Sequence, residues 1–361
     1  MTNTTDATRD ALAERLFGSV LGAMDLLAVY LGDELGYYRA LAEAGAMTSR
    51  ELAASTRTDE RYAREWLEQQ AVTGILQSQE GASDANRRFS LPEGHAQVLI
   101  EPENLAAIAP QARFLAGIAG VLPDLLAAYR SGEGVPYHDY GQNGCLGQAG
   151  MTRPMFANLL GSEWLPAVTD IDARLRAEPP ARVVDVGCGA GWSSIALARA
   201  YPAILVDGLD LDEASIAVAR ANAQAAGVAD RVTFQVRDAG DPELAGQYDL
   251  ACAFECIHDM ANPVAALASM RRLVGPGGSV LVADEKVADR FTAPGDDIER
   301  FMYGFSILHC LPVGRAEQPS AATGAVMRES TFRDYAAQAG FASVEVTPIA
   351  HDWWRFYRLS A

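Results

Sequence analysis

The sequence has few cysteines, and their number and spacing argue against both disulfide bonds and a zinc site. The five cysteines are odd in number and include no C-x-x-C pair, so neither a disulfide framework nor a zinc knuckle is indicated. Acidic residues, Asp6 and Asp10, stand where a secretory signal requires basic residues followed by an apolar run. Together these features predict a cytoplasmic protein.

Positive charge is also scarce. The chain has 29 basic and 47 acidic residues, a formal net charge of -18, which repels phosphate backbones and anionic membrane surfaces. The stretch 115–129 is weakly polar, but Pro123 and Asp124 interrupt it and it is shorter than the ~20 apolar residues of a membrane span. The sequence therefore predicts neither a nucleic-acid partner nor a membrane partner.

The length of the chain indicates more than one domain. A single hydrophobic core stops growing near ~250 to 300 residues, and this chain has 361 residues, of which 49% are hydrophobic. Changes in pattern predict a helical domain over 1–100, a helical linker and substrate-pocket region over 101–180, and an α/β domain over 181–361.

The first hundred residues are typical of a winged helix. Apolar residues recur three and four apart, Thr48 and Glu51 form a capping box, and two short strand patterns follow at 75–76 and 88–91. The apolar stripe over 12–31 fits either an interface between two subunits or packing within its own domain.

A winged helix can bind DNA, and five arginines are candidates for that role. The first three in sequence lie on one helix and the last two at the wing. Three acidic residues lie among the arginines of the helix, so a solvated face or a dimer contact is favoured over DNA binding. The arginines are Arg57, Arg61, Arg64, Arg87 and Arg88, and the acidic residues are Glu60, Glu65 and Glu68.

A glycine-rich stretch over 131–150 interrupts the helical pattern. It contains Tyr137, His138 and Tyr140, and we expect an irregular loop there. Long irregular segments serve as lids over binding sites or as plain linkers between domains, and both alternatives stay open.

From Arg182 onward, short β-branched runs alternate with helical patterns. This alternation predicts a doubly wound, Rossmann-like sheet of seven strands, whose last two strands form an antiparallel hairpin. The predicted strands are 183–186, 204–211, 232–236, 248–254, 279–283, 344–349 and 354–359, with helices at 192–200, 213–226, 263–273 and 331–339.

The first of these strands ends in a turn with alternating glycines, and each of the next two strands ends in an acid. The turn contains Asp185, Gly187, Gly189 and Gly191, and the acids are Asp210, before Leu211, and Asp238, before Ala239. An acid at the end of the second strand suits the ribose hydroxyls of dinucleotide and adenosyl cofactors. Dinucleotide sites have the spacing G-x-G-x-x-G, which this turn lacks. The set resembles class I S-adenosylmethionine-dependent methyltransferases over residues 182–361.

The resemblance assigns roles to the cofactor-binding residues. It implies that the turn from Asp185 to Gly191, with Gly187 and Gly189, packs against the methionine part of S-adenosylmethionine. Asp210, with Leu211, would bind the ribose. Asp238 and Ala239 would border the adenine, and Glu255 would lie near the methionine.

His258 and Asp259, just after the fourth strand, resemble the His-Asp pair of small-molecule O-methyltransferases. That resemblance implies that His258 is a general base, that the winged helix is a dimerisation domain of a homodimer, and that the acceptor is a natural product or another metabolite. Met260 replaces the tryptophan of the plant members, which leaves the acceptor class open.

Two alternatives remain at this stage. His309, on an apolar helical stretch, could join His258 and Asp259 as a two-His-one-carboxylate ligand set for a divalent or ferric ion, as in metal-assisted C-methyltransferases of α-keto acids. From another class, the chain could be a DNA-binding regulator that senses S-adenosylmethionine.

Overall fold

The structure is a computed structural model that describes residues 4–79, 83, 86–244 and 246–360. The chain divides into two compact units, Met1–Ala116 and Gly117–Ala361.

The first unit is helical with one short hairpin, and it confirms the winged-helix prediction. Its helices are α1 (Thr4–Glu34), α2 (Tyr37–Ala44), α3 (Ser49–Thr56), α4 (Glu60–Val72) and α5 (Glu93–Leu99), and strands β1 (Gln77–Ser78) and β2 (Phe89–Ser90) pair antiparallel. Thr48 and Glu51 form the predicted capping box at the start of α3. The rings of Tyr37 and Tyr38 contact Trp66 edge-on at centroid distances of 4.8 and 5.1 Å, which fixes α2 against α4.

Two helices are long and apolar enough to cross a membrane by length and composition. They are Thr8–Glu34, within α1, and Ala109–Ser131, which is α6. Core helices of soluble proteins meet the same criterion, so this finding is weak evidence for a membrane span. The predicted absence of a membrane partner stays a prediction.

The prediction of an irregular loop over 131–150 is wrong for most of that stretch. A 3-10 turn, Tyr137–Tyr140, leads directly into α7 (Gly141–Met155), which continues as a π-helical segment, Phe156–Trp164, before α8 (Thr169–Arg176). Two glycines of α7, Gly144 and Gly147, are buried. A Cβ atom on Gly117 of α6 would lie 2.8 Å from the backbone nitrogen of Gly144, so α6 and α7 pack at backbone distance.

The second unit contains the predicted seven-stranded sheet. In sequence order its strands are β3 (Arg182–Val186), β4 (Leu205–Asp210), β5 (Val232–Val236), β6 (Tyr248–Phe254), β7 (Val274–Glu285), β8 (Ser343–Val346) and β9 (Trp354–Ser360). Their spatial order is β5-β4-β3-β6-β7-β9-β8, with parallel pairing up to β7 and antiparallel pairing for β9 and β8. This arrangement confirms the doubly wound fold with its terminal hairpin.

Helices cover both faces of this sheet. The helices that pack on the strands are α9 (Trp192–Ala200), α10 (Glu213–Ala225), α11 (Pro263–Leu273) and α14 (Glu329–Gln338), and α12 (Asp297–Phe305) and α13 (Leu311–Gly314) lie between β7 and α14 in sequence. Two buried apolar clusters lie on opposite faces, one built around Val183 and Leu197 and the other around Val184 and Leu267. Because β3, β4, β5, β6 and β7 are parallel, their carboxyl ends meet at one edge of the sheet, where ligands of such folds bind.

Candidate active site

In the turn between β3 and α9, side chains pack against two of the three glycines, and the third has no side chain beside it. Gly187, Gly189 and Gly191 have φ values of 69°, 51° and 81°, a region that favours glycine. A Cβ atom would lie 2.6 Å from Cys256 Sγ at Gly187 and 2.6 Å from Phe234 Cζ at Gly191, but within 4 Å of nothing at Gly189. The backbone at Gly189 is therefore the part that a ligand can approach closely.

Asp185 lies beneath this turn rather than on its open side. Its side chain is buried and accepts hydrogen bonds from Ser193 Oγ at 2.5 Å and Ser194 Oγ at 2.6 Å. Burial raises its pKa to about 6. These contacts fix the first turn of α9 against β3, so Asp185 supports the shape of the glycine turn.

Asp210, the last residue of β4, joins its own strand to the glycine turn. Its Oδ2 accepts from the backbone nitrogen of Gly189 at 2.8 Å, and its Oδ1 accepts from that of Asp212 at 2.9 Å. Both bonds hold the carboxylate beside the open backbone of Gly189. Leu211, next in the chain, is exposed.

Asp238 and Ala239 follow β5, the strand beside β4. The Oδ1 atom of Asp238 accepts from the backbone nitrogen of Gly240 at 2.8 Å, and its side chain is exposed. Ala239 is half-buried against the core. Asp238 therefore lies at the same edge of the sheet as Asp210, one strand away.

His258 is buried between two carboxylates. It lies on a 3-10 turn, Ile257–Asp259, and its Nδ1 is 2.6 Å from Asp284 Oδ1, on β7, while its Nε2 is 3.2 Å from Asp259 Oδ1. Burial lowers the pKa of His258, but the Asp284 and Asp259 charges outweigh it and raise this pKa well above its usual value.

Asp284 was not predicted as a site residue. The signal present in the sequence is the acidic end of an otherwise apolar run, V-L-V-A-D-E.

Glu255, which is half-buried, and Glu285, which is buried, form an acidic pair beside His258. Glu255 has a φ of 57°, unusual for a residue with a side chain, and its backbone nitrogen donates to the carbonyl oxygen of Ala283 at 2.8 Å. Burial raises the pKa of Glu255 to about 7, and burial together with the charge of Glu255 raises that of Glu285 well above its usual value. The two carboxyl groups therefore interact directly.

The structure brings Cys310, rather than His309, to His258 and Asp259. One donor atom from each of His258, Asp259 and Cys310 lies within 4.8 Å of the others. His309 is buried on a π-helical segment, Ser306–Cys310, with its ring 4.8 Å from that of Tyr140 and 5.8 Å from that of Tyr137. Burial lowers the pKa of His309.

Helix α7 contacts the helices that follow the glycine turn. The Arg153 guanidinium lies 3.8 Å from the ring centroid of Trp192, the first residue of α9. Cys145 Sγ is 3.4 Å from Ser215 Oγ, on α10. Much of the segment that the sequence predicted as a loop is thus a helix beside the glycine turn.

Family models match two separate parts of the chain. Residues 178–311 match a methyltransferase domain, and residues 4–101 match an Rv2258c-like winged helix-turn-helix domain. The protein therefore carries a methyltransferase domain preceded by a winged helix-turn-helix domain. The resemblance noted in the sequence is confirmed at the level of domain family and fold.

Solved structures share the fold over nearly the whole chain. The human N-acetylserotonin methyltransferase, solved in complex with S-adenosylmethionine, is 18% identical, with a TM-score of 0.70 and coverage of 97% of this chain and 98% of that one. The mitomycin 7-O-methyltransferase is 22% identical, with a TM-score of 0.68 and coverage of 98% and 99%.

Curated relatives match a shorter stretch. A ubiquinone biosynthesis O-methyltransferase of Pseudomonas aeruginosa strain LESB58 is 33% identical over 102 residues, which is 28% of this chain and 43% of the relative. Norajmaline N-methyltransferase of Rauvolfia serpentina is 29% identical over 107 residues, 29% of this chain and 36% of the relative. The chain thus spans less than half the length of these two relatives.

Proposed function

We propose that the protein transfers a methyl group from S-adenosylmethionine to a small-molecule acceptor, a natural product or another metabolite. The observation that carries this proposal is the open backbone of Gly189 beside the Asp210 carboxylate, at the sheet edge that also holds His258. S-adenosylmethionine supplies an electrophilic methyl group on a positively charged sulfur.

The residues around the turn fit this cofactor. Gly189 has no Cβ atom to keep the methionine part away, and Asp210 has lone pairs left for two ribose hydroxyls. Asp238 and Ala239, one strand further, would border the adenine. Glu255, at the end of β6, would face the ammonium group of the methionine.

His258 would receive the proton that the acceptor loses. Asp284 holds Nδ1, so Nε2 is the nitrogen that accepts the proton, and Asp259 at 3.2 Å stabilises the imidazolium that forms. Alignment of the methyl donor with the acceptor supplies the rest of the rate enhancement, since alignment alone lowers the reaction barrier by ~7 to 11 kcal/mol in favourable models.

Replacing Asp284 by asparagine should move the pH profile of turnover. The base must be unprotonated, so turnover is lost as pH falls through the pKa of His258, which Asp284 helps to raise. In Asp284→Asn the fall of kcat at acid pH should shift to lower pH. The maximal kcat should fall roughly 10- to 100-fold, because the variant loses part of the rate factor of about 10² to 10⁴ that a general base supplies. The measurement is kcat against pH.

The matched control for this change is Asp249→Asn. Asp249 lies near the start of β6, the strand that precedes the turn of His258, and so at the opposite edge of the sheet from His258. Arg174 Nε donates a hydrogen bond to Asp249 Oδ1 at 2.8 Å. Its pH profile should match that of the unmodified protein. An acid limb that stays in place in Asp284→Asn would contradict the assigned role of Asp284.

A metal-assisted route is a second candidate, favoured by the grouping of His258, Asp259 and Cys310. Asp284 at Nδ1 of His258 matches the carboxylate-histidine pairing common behind metal ligands. A divalent or ferric ion would polarise an α-keto acid as a Lewis acid. The predicted set of His258, Asp259 and His309 differs from this grouping in its third ligand.

Metal analysis separates the two ligand sets. If this route operates, purified protein should hold about one metal ion per chain. Cys310→Ser should lose it if the observed grouping binds, and His309→Ala should lose it if the predicted set binds. No metal in the unmodified protein would end the metal-assisted route.

The homodimer is proposed from the exposed apolar face of α1. Eight large apolar side chains on this helix are 46% to 63% exposed, which is unfavourable unless a second copy covers them. They are Leu12, Leu16, Phe17, Val20, Leu21, Met24, Leu27 and Leu31.

The double variant Phe17→Glu, Met24→Glu should convert a dimer to a monomer, because it places two charges in the apolar contact. Sedimentation equilibrium measures the mass directly. Val72→Glu is the control, since Val72 is 87% exposed on α4 and should leave the mass unchanged. A protein that is already monomeric, or a double variant that stays dimeric, would contradict the role of α1.

The winged helix is proposed to bind no nucleic acid. Four of the five candidate arginines are paired with glutamates within the first unit, which neutralises them as phosphate ligands. The pairs are Arg61 with Glu65, Arg64 with Glu60, Arg87 with Glu68, and Arg88 with Glu51. This pairing also argues against the alternative of a DNA-binding regulator.

A further inference from the structure

His351 lies in the link between β8 and β9 and accepts two backbone hydrogen bonds. Its Nδ1 accepts from the backbone nitrogen of Trp353 at 3.3 Å and from that of Trp354 at 3.0 Å. Because both groups donate to Nδ1, this nitrogen carries no proton, and the neutral ring holds its one proton on Nε2. The imidazole of His351 therefore caps the turn that leads into β9.

Two tryptophan rings pack against this imidazole. Its ring centroid lies 5.4 Å from that of Trp164, edge-on, and 5.2 Å from that of Trp354. Both tryptophans are buried, and His351 is half-buried against them. Water can reach only part of the ring, so this packing disfavours the charged form of His351.

The turn also joins the end of β7 to helix α12. The carbonyl oxygen of Trp353 accepts from the backbone nitrogen of Lys286 at 2.7 Å, and the ring of Trp353 lies 5.3 Å from that of Phe301, on α12. Lys286 Nζ donates to the carbonyl oxygen of His351 at 2.9 Å. Because Lys286 directly follows β7, these contacts lie at the same edge of the sheet as His258.

The surroundings of this imidazole oppose its protonation. Burial lowers the pKa of His351, Asp352 raises it and Lys286 lowers it, and the net pKa lies below the usual value. Glu163, on the π-helical segment, is exposed, and Arg355, on β9, pairs with a glutamate of α14. A pKa lowered by folding means that His351 contributes stability above pH ~6.5, and that this stability is lost as pH falls below that value.

We propose that His351 is a pH-sensitive positioning residue, whose neutral ring holds the turn that seats Trp353 against Phe301 and whose protonation releases that turn. A protonated Nδ1 would point an N–H group at two backbone N–H groups, which would then lack an acceptor. Once the turn is released, Trp353 no longer holds α12 in place at the edge of the sheet. This inference goes beyond the proposed function, and its test does not use the methyl donor.

The test is hydrogen exchange, read by mass spectrometry at about pH 7.5 and about pH 5.5, on either side of the usual histidine pKa, and corrected for the intrinsic effect of pH. In the unmodified protein the segments 351–360 and 297–305 should exchange about tenfold faster at the lower pH, the effect of losing one or two hydrogen bonds. In His351→Asn neither segment should respond to pH, because the amide oxygen accepts the same backbone bonds and does not titrate. In His351→Ala both segments should exchange fast at both pH values.

Thermal unfolding gives a second measurement. Between the same two pH values, the unfolding midpoint should fall by about 2 to 4 °C less in His351→Asn than in the unmodified protein. His138→Asn is the matched control, since His138 also titrates but its side chain is 70% exposed, and it should behave as the unmodified protein does.

Three results would overturn the inference. They are an equal response to pH in the unmodified protein and in His351→Asn, slow exchange of 351–360 in His351→Ala at the higher pH, and a response of 351–360 that 297–305 does not share. The first would show that His351 has a structural role without a pH response, the second that it does not hold the turn, and the third that the turn does not seat α12.

Discussion

The His258→Ala variant should lose turnover by about 10² to 10⁴, the usual contribution of a general base. The reason is that His258 is a buried imidazole whose Nδ1 is fixed by the Asp284 carboxylate, which leaves Nε2 to take the proton. The affinity for S-adenosylmethionine should change little, because the contacts of His258 are to Asp284 and Asp259 and not to the glycine turn. Release of S-adenosylhomocysteine measures turnover, and calorimetry measures affinity.

The control for this variant is His138→Ala, a histidine of the same unit whose side chain is 70% exposed. It should retain full turnover. Full turnover in His258→Ala would remove His258 from the proton transfer and leave methyl transfer by alignment alone. A parallel loss of affinity for S-adenosylmethionine would show that the substitution disturbs the turn itself.

Replacing Asp210 by alanine should weaken S-adenosylmethionine binding by about 100-fold or more. Two ribose hydroxyls would lose a charged acceptor, and each such bond contributes about 1.5 to 3 kcal/mol. The backbone nitrogen of Gly189 would also lose its acceptor at 2.8 Å, so the glycine turn would be less well fixed. Calorimetric titration of S-adenosylmethionine gives the two dissociation constants.

Asp207→Asn provides the comparison on the same strand. Asp207 also lies on β4, three residues before Asp210, and its oxygens accept from Thr233 Oγ1 at 2.6 Å and Tyr248 Oη at 2.9 Å. This variant should bind S-adenosylmethionine as the unmodified protein does. Equal affinity in Asp210→Ala and the unmodified protein would remove Asp210 from the cofactor site.

The sheet and its glycine turn were predictable because their signals are local. Buried parallel strands read as short β-branched runs, and the predicted run 248–254 coincides with β6, Tyr248–Phe254. The turn combines glycines with a preceding strand and a following helix, so the local sequence is sufficient to place it at the carboxyl edge of the sheet.

Side-chain contacts between distant elements were not predictable in the same way. His258 has its shortest polar contact with Asp284, 26 residues later, because β6 and β7 are neighbours in the sheet. Cys310 lies near His258 and Asp259 although it is far from both in sequence, on the π-helical segment Ser306–Cys310. The stretch 131–150 looked irregular because glycine lowers helix propensity, but close packing of α6 against α7 outweighs that propensity.

The most direct test of the account is which nucleotide the glycine turn binds. Calorimetric titrations of the purified protein with S-adenosylhomocysteine and with NAD distinguish an adenosyl site from a dinucleotide site. We predict one S-adenosylhomocysteine per chain and no heat from NAD. Heat from NAD with none from S-adenosylhomocysteine would contradict the assignment of the turn, and with it the proposed methyl transfer.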